Sequence, residues 1–151
     1  MRVVVQRVKE SSVKVNGCIV GSIGYGFMLL VSFTNTDTEE IIDYMVRKIL
    51  NLRIMNDEFG VMNKNIIDSK GSILSISQFT LYGDSKKGNR PSYVNALNGK
   101  DASKLYDLFN EKLKKYIHVE TGIFGSDMEV ALINDGPVTI LLEKEKEFCD
   151  K

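Results

Sequence analysis

The chain has 151 residues, 20 basic and 20 acidic side chains, a formal net charge of +0 and 43% hydrophobic residues. This balance excludes a protein that coats nucleic acid through bulk charge, excludes a disordered composition, and leaves enough chain to bury a core without staples. Cys18 and Cys149 lie far apart and form no metal-ligating spacing, and no apolar run approaches the ~20 residues of a membrane span; the expectation is one cytoplasmic domain, 1–151, with free thiols, no membrane segment, no metal and no cofactor.

Val3 to Val8 is a short apolar run and reads as a strand. Ser12-Val13-Lys14-Val15 and Cys18-Ile19-Val20-Gly21-Ser22-Ile23 flank Asn16-Gly17, the strongest short hairpin signal. Phe27-Met28-Leu29-Leu30-Val31 is wholly apolar and fits a buried central strand. Thr36-Asp37-Thr38-Glu39 reads as a capping-box start. The helix it opens carries Ile41, Ile42, Met45, Val46, Ile49 and Leu50 as one stripe. Asp57-Glu58-Phe59-Gly60 reads as the turn of a second hairpin.

Ile73 to Leu81 is predicted as one strand, followed by a polar loop, Gly83 to Pro91, that holds Lys86, Lys87 and Arg90. A second helix is predicted from about Asp101 as N-cap, with Leu105, Leu108, Phe109, Leu113 and Tyr116 as its stripe. Two final strands, near Met128 to Ile133 and Val138 to Leu142, precede a charged tail, 143–151. Strands dominate and two helices are inserted among them. The fold class is therefore α/β: a β-rich layered domain with both helices packed on sheets.

Two segments hold the interesting polar groups: Ser77-Gln78-Phe79-Thr80 and Asn134-Asp135-Gly136-Pro137-Val138-Thr139. Neither contains a group that ionises usefully near neutrality. In an unbroken strand Ser77 and Phe79 face one way, Gln78 and Thr80 the other, as surface residues where the strand leaves the core. A twist there would instead expose backbone N–H groups able to hold an oxyanion or a carbonyl. Thr80 becomes a nucleophile only with a base, and none is near in sequence. Gly136-Pro137 reads as a turn at a strand start or, at an exposed edge, as a rigid carbonyl face. His118 is the lone histidine and reads as a loop or strand-start residue. Lys86-Lys87-Gly88-Asn89-Arg90 reads first as a solvated loop, able also to steer a phosphate backbone.

These segments, with Met1-Arg2-Val3-Val4-Val5-Gln6-Arg7-Val8, Asn51-Leu52-Arg53, Gly88-Asn89-Arg90-Pro91-Ser92, Glu120-Thr121-Gly122 and Phe124-Gly125-Ser126-Asp127-Met128, occur in the order and spacing of one family. Together they resemble the D-aminoacyl-tRNA deacylases over nearly the whole chain. The resemblance implies α/β/β layers and a homodimer that cleaves the ester between a D-amino acid and the 3′ end of tRNA. Glycine misattached to tRNA for alanine would be cleaved as well.

On that resemblance Ser77, Gln78, Phe79 and Thr80 line the ester pocket, Phe79 and Thr80 through their backbone. Gly136 and Pro137, joined by a cis bond, reach into the partner subunit's pocket and block an L side chain with their carbonyls. Met128 borders the pocket and Arg7 holds the Gly-Pro turn. The ribose 2′-OH helps to activate water, and a nucleophilic Thr80 is the competing mechanism. Tyr93 stands where the family commonly has Phe, and Ser32 to Thr36 replaces a glycine-containing turn. Two other readings remain: a related deacylase that removes L-alanine from a mismatched tRNA, and a non-enzymatic module that binds RNA 3′ ends.

Overall fold

The computed structural model describes residues 1–147. Cys149, read as a free thiol, lies outside them, as does the end of the charged tail. The elements are β1 (Arg2–Val15), β2 (Cys18–Ile23), β3 (Gly26–Ser32), α1 (Glu39–Asn51), β4 (Met55–Asn56), β5 (Met62–Lys64), β6 (Ser72–Ser77), a 3₁₀ turn (Phe79–Tyr82), α2 (Gly99–Lys114), β7 (Val119–Thr121) and β8 (Glu129–Glu143). Among the described residues no helix is long and apolar enough to cross a membrane.

The main sheet runs β2-β1-β3-β6-β7, with β8 also paired to β1. β1 is the organiser. Its first half pairs with β3, its second half with β2, and β8 runs antiparallel along both halves. β3, β6 and β7 are mutually parallel, so the sheet is mixed. It curls nearly into a barrel. A Cβ on Gly21 of β2 would sit 2.7 Å from the Thr121 carbonyl oxygen, so β2 folds down against β7.

Alternation divides the apolar residues between two cores. Val3, Val5, Phe27, Leu29, Val31 and Ile73 face the helices and pack on Ile42, Met45, Ile49, Phe109 and Leu113. Val8, Val13, Met28, Leu74 and Ile76 face the other way, into the curl of the sheet, with Met128, Val130 and Leu132 against them. The expected helix-on-sheet layering is what forms. The Asn16-Gly17 hairpin and the β4–β5 hairpin around Asp57–Gly60 both form where expected.

Several boundaries differ from the sequence reading. The two N-terminal runs are one strand, because β1 stays paired to β8 from end to end. The α1 cap is Thr38, whose hydroxyl accepts from the Ile41 N–H at 3.4 Å, rather than Thr36. Asp37 holds the preceding segment out of the helix: its carboxylate accepts from Thr34 N at 2.8 Å and pairs with the Met1 ammonium at 2.8 Å. The α2 cap is Asn98 rather than Asp101. Asn98 Oδ1 accepts from Asp101 N at 3.0 Å, and its amide donates back to the Asp101 carboxylate at 2.9 Å. Tyr116 falls past the end of α2 and is exposed, and Ala102 and Tyr106 fill the buried stripe instead.

Candidate active site

β6 does not continue to Leu81. It ends at Ser77, Gln78 bridges at φ −146° and ψ 80°, and Phe79–Tyr82 coil into the 3₁₀ turn. The facing of Ser77 with Phe79 and of Gln78 with Thr80 therefore does not hold beyond the strand end. Two side chains from β1 and β3 grip the turn. Arg2 Nη1 donates to the Leu81 carbonyl oxygen at 2.7 Å, with its guanidinium 4.4 Å from the Tyr82 ring centre. Ser32 Oγ donates to the Phe79 carbonyl oxygen at 3.4 Å.

The turn gives the strand end its chemistry. Gln78 N donates to the Val31 carbonyl at 2.8 Å, and Leu81 and Gly83 N–H bond back into the turn. The N–H groups of Phe79 and Thr80 have no partner among the described residues. They are the orphan donors that the start of any helical turn leaves. The Gln78 amide donates to the Thr80 hydroxyl, which is thus occupied as an acceptor. Phe79 stays 59% exposed, and its ring meets Tyr93 edge-on at 5.1 Å.

Among the described residues no carboxylate or imidazole hydrogen-bonds the Thr80 hydroxyl. The Tyr82 phenol is pushed up from its usual range, first by burial and then by the Asp37 carboxylate, so it stays protonated. His118 is 65% exposed, 3.5 Å from Glu120, just before β7. It hydrogen-bonds Ile73 at the opposite end of β6, about 16 Å along the strand from Gln78. Among the described residues no group of three or more His, Cys, Asp or Glu side chains converges as a metal site.

The second segment does not break β8 into two strands with a turn, as the proline suggested. Between the pairs Gln6–Thr139 and Val8–Asn134, β1 advances two residues and β8 advances five. The intervening Asp135 to Val138 are looped out, and Pro137 needs no ladder N–H there. The Gly136-Pro137 bond is cis, and Gly136 takes φ +126°, a conformation that L side chains rarely adopt.

The bulge is bracketed from both sides. Asn134 Oδ1 accepts from Val138 N at 3.0 Å, and Asn134 Nδ2 donates to Thr139 Oγ1 at 2.9 Å. Arg7, 4% exposed, reaches it from β1. Its Nε donates to the Asp135 carbonyl at 3.1 Å, and Nη1 donates to the Ile54 carbonyl at 2.8 Å and Asn56 Oδ1 at 3.0 Å. Met128, at the mouth of β8, packs into the inner core beside Gly122 and Ile76.

Within one chain the two segments do not meet. β8 and β6 are separated by β1 and β3, so about 14 Å divides them across the sheet. Asn134, Asp135 and Thr139 belong to a segment the sequence singles out but were given no site role of their own, Tyr93 beside Phe79 was noted only as a departure from the family's Phe, and Asn56 was not noted. Asn134-Asp135 and Thr139 flank Gly-Pro in sequence, which was the available signal. Asn56 and Tyr93 carry none.

A family model for D-Tyr-tRNA(Tyr) deacylase matches residues 4–143. A D-aminoacyl-tRNA deacylase of Bacillus cytotoxicus is 56% identical over 146 residues, 96% of this chain and all of the relative, and one of Bacillus mycoides is equally close. The chain belongs to the D-Tyr-tRNA(Tyr) deacylase family. The relatives bear the name of a hydrolase. Among solved structures, one titled c-Myc DNA Unwinding Element Binding Protein superposes with a TM-score of 0.92 at 41% identity, covering 97% of this chain and 100% of that one. A probable eukaryotic D-amino acid tRNA deacylase shares the deacylase fold at 19% identity and a TM-score of 0.81, over 93% and 97% of the two chains.

Proposed function

We propose that this chain hydrolyses the ester joining a D-amino acid to the 3′-terminal adenosine of tRNA, at a pocket lined by Ser77, Gln78, Phe79 and Thr80. The observation that carries it is the end-to-end 56% identity to proteins named D-aminoacyl-tRNA deacylase. The local geometry is consistent with ester chemistry run by position. The Phe79 and Thr80 N–H groups, unpartnered at the start of the turn, are donors able to stabilise the negative charge that the carbonyl oxygen gains as water adds. The ribose 2′-OH beside the ester helps to take the proton from that water. The carbonyl carbon then releases the 3′ oxygen, which leaves as a hydroxyl.

The working unit in this reading is a homodimer with Gly136 and Pro137 of one subunit facing the ester pocket of the other, and Met128 at its border. Two features support it. The two segments are too far apart to form one site within a chain. On the sheet face away from the helices, Leu141, Val4, Leu30 and Ile76 also form one row across four strands. Leu141 is 57% exposed and Val4 and Leu30 are half-buried, a row that a second copy would cover. Gly136 and Pro137 then exclude an L side chain, and glycine on tRNA for alanine passes.

The test is incubation with D-Tyr-tRNA, scored for free D-tyrosine and intact tRNA. Tight binding without ester loss would favour the RNA-end binder, and cleavage confined to L-Ala-tRNA the other deacylase type.

A further inference from the structure

We infer that the loop carrying Lys86, Lys87 and Arg90 is a phosphate grip for the single-stranded 3′ end of the tRNA. It rests on the deacylase reading and deepens it, by naming how the macromolecule, rather than the ester, is held. The loop is rooted directly on the pocket. Asp84 and Ser92 close its base by exchanging both backbone hydrogen bonds at 2.8 Å, two residues beyond Tyr82. The next residue, Tyr93, stands against Phe79.

All three cations are exposed, and none is ion-paired among the described residues. The one carboxylate at the root, Asp84, caps the loop backbone, its Oδ1 accepting from Lys86 N at 2.9 Å. A cleft of about 220 Å³ there is lined by Arg2, Tyr82, Gly83, Asp84, Ser85, Lys86 and Asn95. Its unpaired cation is Lys86, with Ser85 and Asn95 as neutral donors, groups that phosphate oxygens take, while Arg2 is already held by the Leu81 carbonyl and Glu143. On the pocket side, Phe79, Tyr93 and the 75% exposed Val94 form an apolar aromatic step. Cations that track a backbone beside rings on which bases stack are the pattern of single-strand recognition. The whole chain is neutral, so this local field, and not net charge, has to draw the RNA in.

The experiment compares wild type with the triple variant Lys86→Ala/Lys87→Ala/Arg90→Ala on D-Tyr-tRNA and on D-Tyr-adenosine, which has no phosphate. With tRNA the variant should raise KM about tenfold or more and keep kcat. The slope of log KM against log salt should fall by about 2, as loss of three single-strand phosphate contacts requires. With D-Tyr-adenosine the two proteins should not differ. Lys86→Arg/Lys87→Arg should behave as wild type. Removing three cations on the helix side (Lys48→Ala/Lys70→Ala/Lys115→Ala) should leave KM unchanged, which separates a local grip from bulk charge. An unchanged KM and salt slope in the loop variant would overturn the inference. So would equal losses on both substrates, or competition by duplex DNA as strong as that by uncharged tRNA. If wild type cleaves neither ester, the deacylase reading fails instead. The grip is then judged by tRNA binding alone, where an unchanged Kd in the loop variant overturns it.

Discussion

Arg7 and Asp135 are tied twice: the Arg7 Nε lies 3.3 Å from the Asp135 carboxylate and donates to the carbonyl oxygen of the same residue at 3.1 Å. The Arg7 Nη1 is spent on Ile54 and Asn56. One buried cation thus couples β1, the β4–β5 approach and the bulge that carries Gly136 and Pro137. A planar fork with fixed donor directions suits this junction, and an ammonium does not.

Replacing Arg7 by Met should therefore cost stability as well as activity. It leaves the Asp135 carboxylate and the Ile54 carbonyl without their donor, at about 2–4 kcal/mol in total. That is a fall in Tm of roughly 5–15 °C for a domain this size. Arg7→Lys should recover part of the stability and little of the activity. The check is a melting curve beside single-turnover deacylation, and a Met variant with wild-type melting would contradict the bracket.

Gly136→Ala should be more damaging than its one added methyl suggests. At φ +126° the new Cβ would lie 2.7 Å from Val138 Cγ2 and 3.1 Å from both Val138 N and an Arg7 nitrogen. The bulge must move, at about 1–3 kcal/mol for the backbone conformation alone. The expected result is a soluble, destabilised protein with deacylation reduced at least tenfold, read by single-turnover kinetics on D-Tyr-tRNA.

What sequence could reveal here depended on how local the cause was. The α1 stripe and the Asn16-Gly17 hairpin were legible because period and turn chemistry act over a few residues. Phe79-Thr80-Leu81-Tyr82 consists of good strand formers, and nothing local ends the strand at Ser77. It ends because Arg2 and Ser32, far back in the chain, hold the Leu81 and Phe79 carbonyls in a turn. Pro137 was rightly seen as unfit for a ladder. That β8 carries on past it, by looping out Asp135 to Val138, follows from the register of β1, which no local pattern encodes. The Ser77–Thr80 and Gly136-Pro137 motifs were each visible, but their separation on opposite sides of β1 and β3 was not.

Thr80→Ala should keep substantial activity. The hydroxyl is already an acceptor for the Gln78 amide, no base faces it, and the Thr80 N–H survives the substitution. A loss within about tenfold is expected. A thousandfold drop in single-turnover rate, ~4 kcal/mol of barrier, would mean that the hydroxyl takes part in the chemistry.

The row Leu141, Val4 and Leu30 makes association testable apart from catalysis. Wild type should scatter light as about twice 17.0 kDa at micromolar concentration. Leu141→Arg places a charge at the most exposed point of the row, so it should dissociate the pair while leaving each subunit folded. Activity should fall with the dimer and return as protein concentration is raised. A fully active wild-type monomer would contradict the shared site.

The last prediction concerns handedness. If Gly136 and Pro137 form a wall of backbone carbonyls beside the ester, selection comes from what the wall refuses, and the D side chain needs no pocket of its own. D-Tyr-tRNA and Gly-tRNA should then be cleaved, and L-Tyr-tRNA and L-Ala-tRNA should survive. A wall discriminates only as well as it stays in place, because a methyl group exerts little force on a surface free to retreat. Here the bulge is fixed from within by Asn134, which accepts from Val138 N and donates to Thr139. Asn134→Ala removes both bonds and leaves Arg7 and the glycine untouched. The variant should keep most of its D-Tyr-tRNA rate, lose a few °C in melting, and gain measurable hydrolysis of L-Ala-tRNA before any of L-Tyr-tRNA, since the smaller side chain needs the smaller retreat. Wild type that cleaves L-Tyr-tRNA within tenfold of D-Tyr-tRNA would sink exclusion as the mechanism. An Asn134→Ala protein as selective as wild type would show that the wall is held by Arg7 alone.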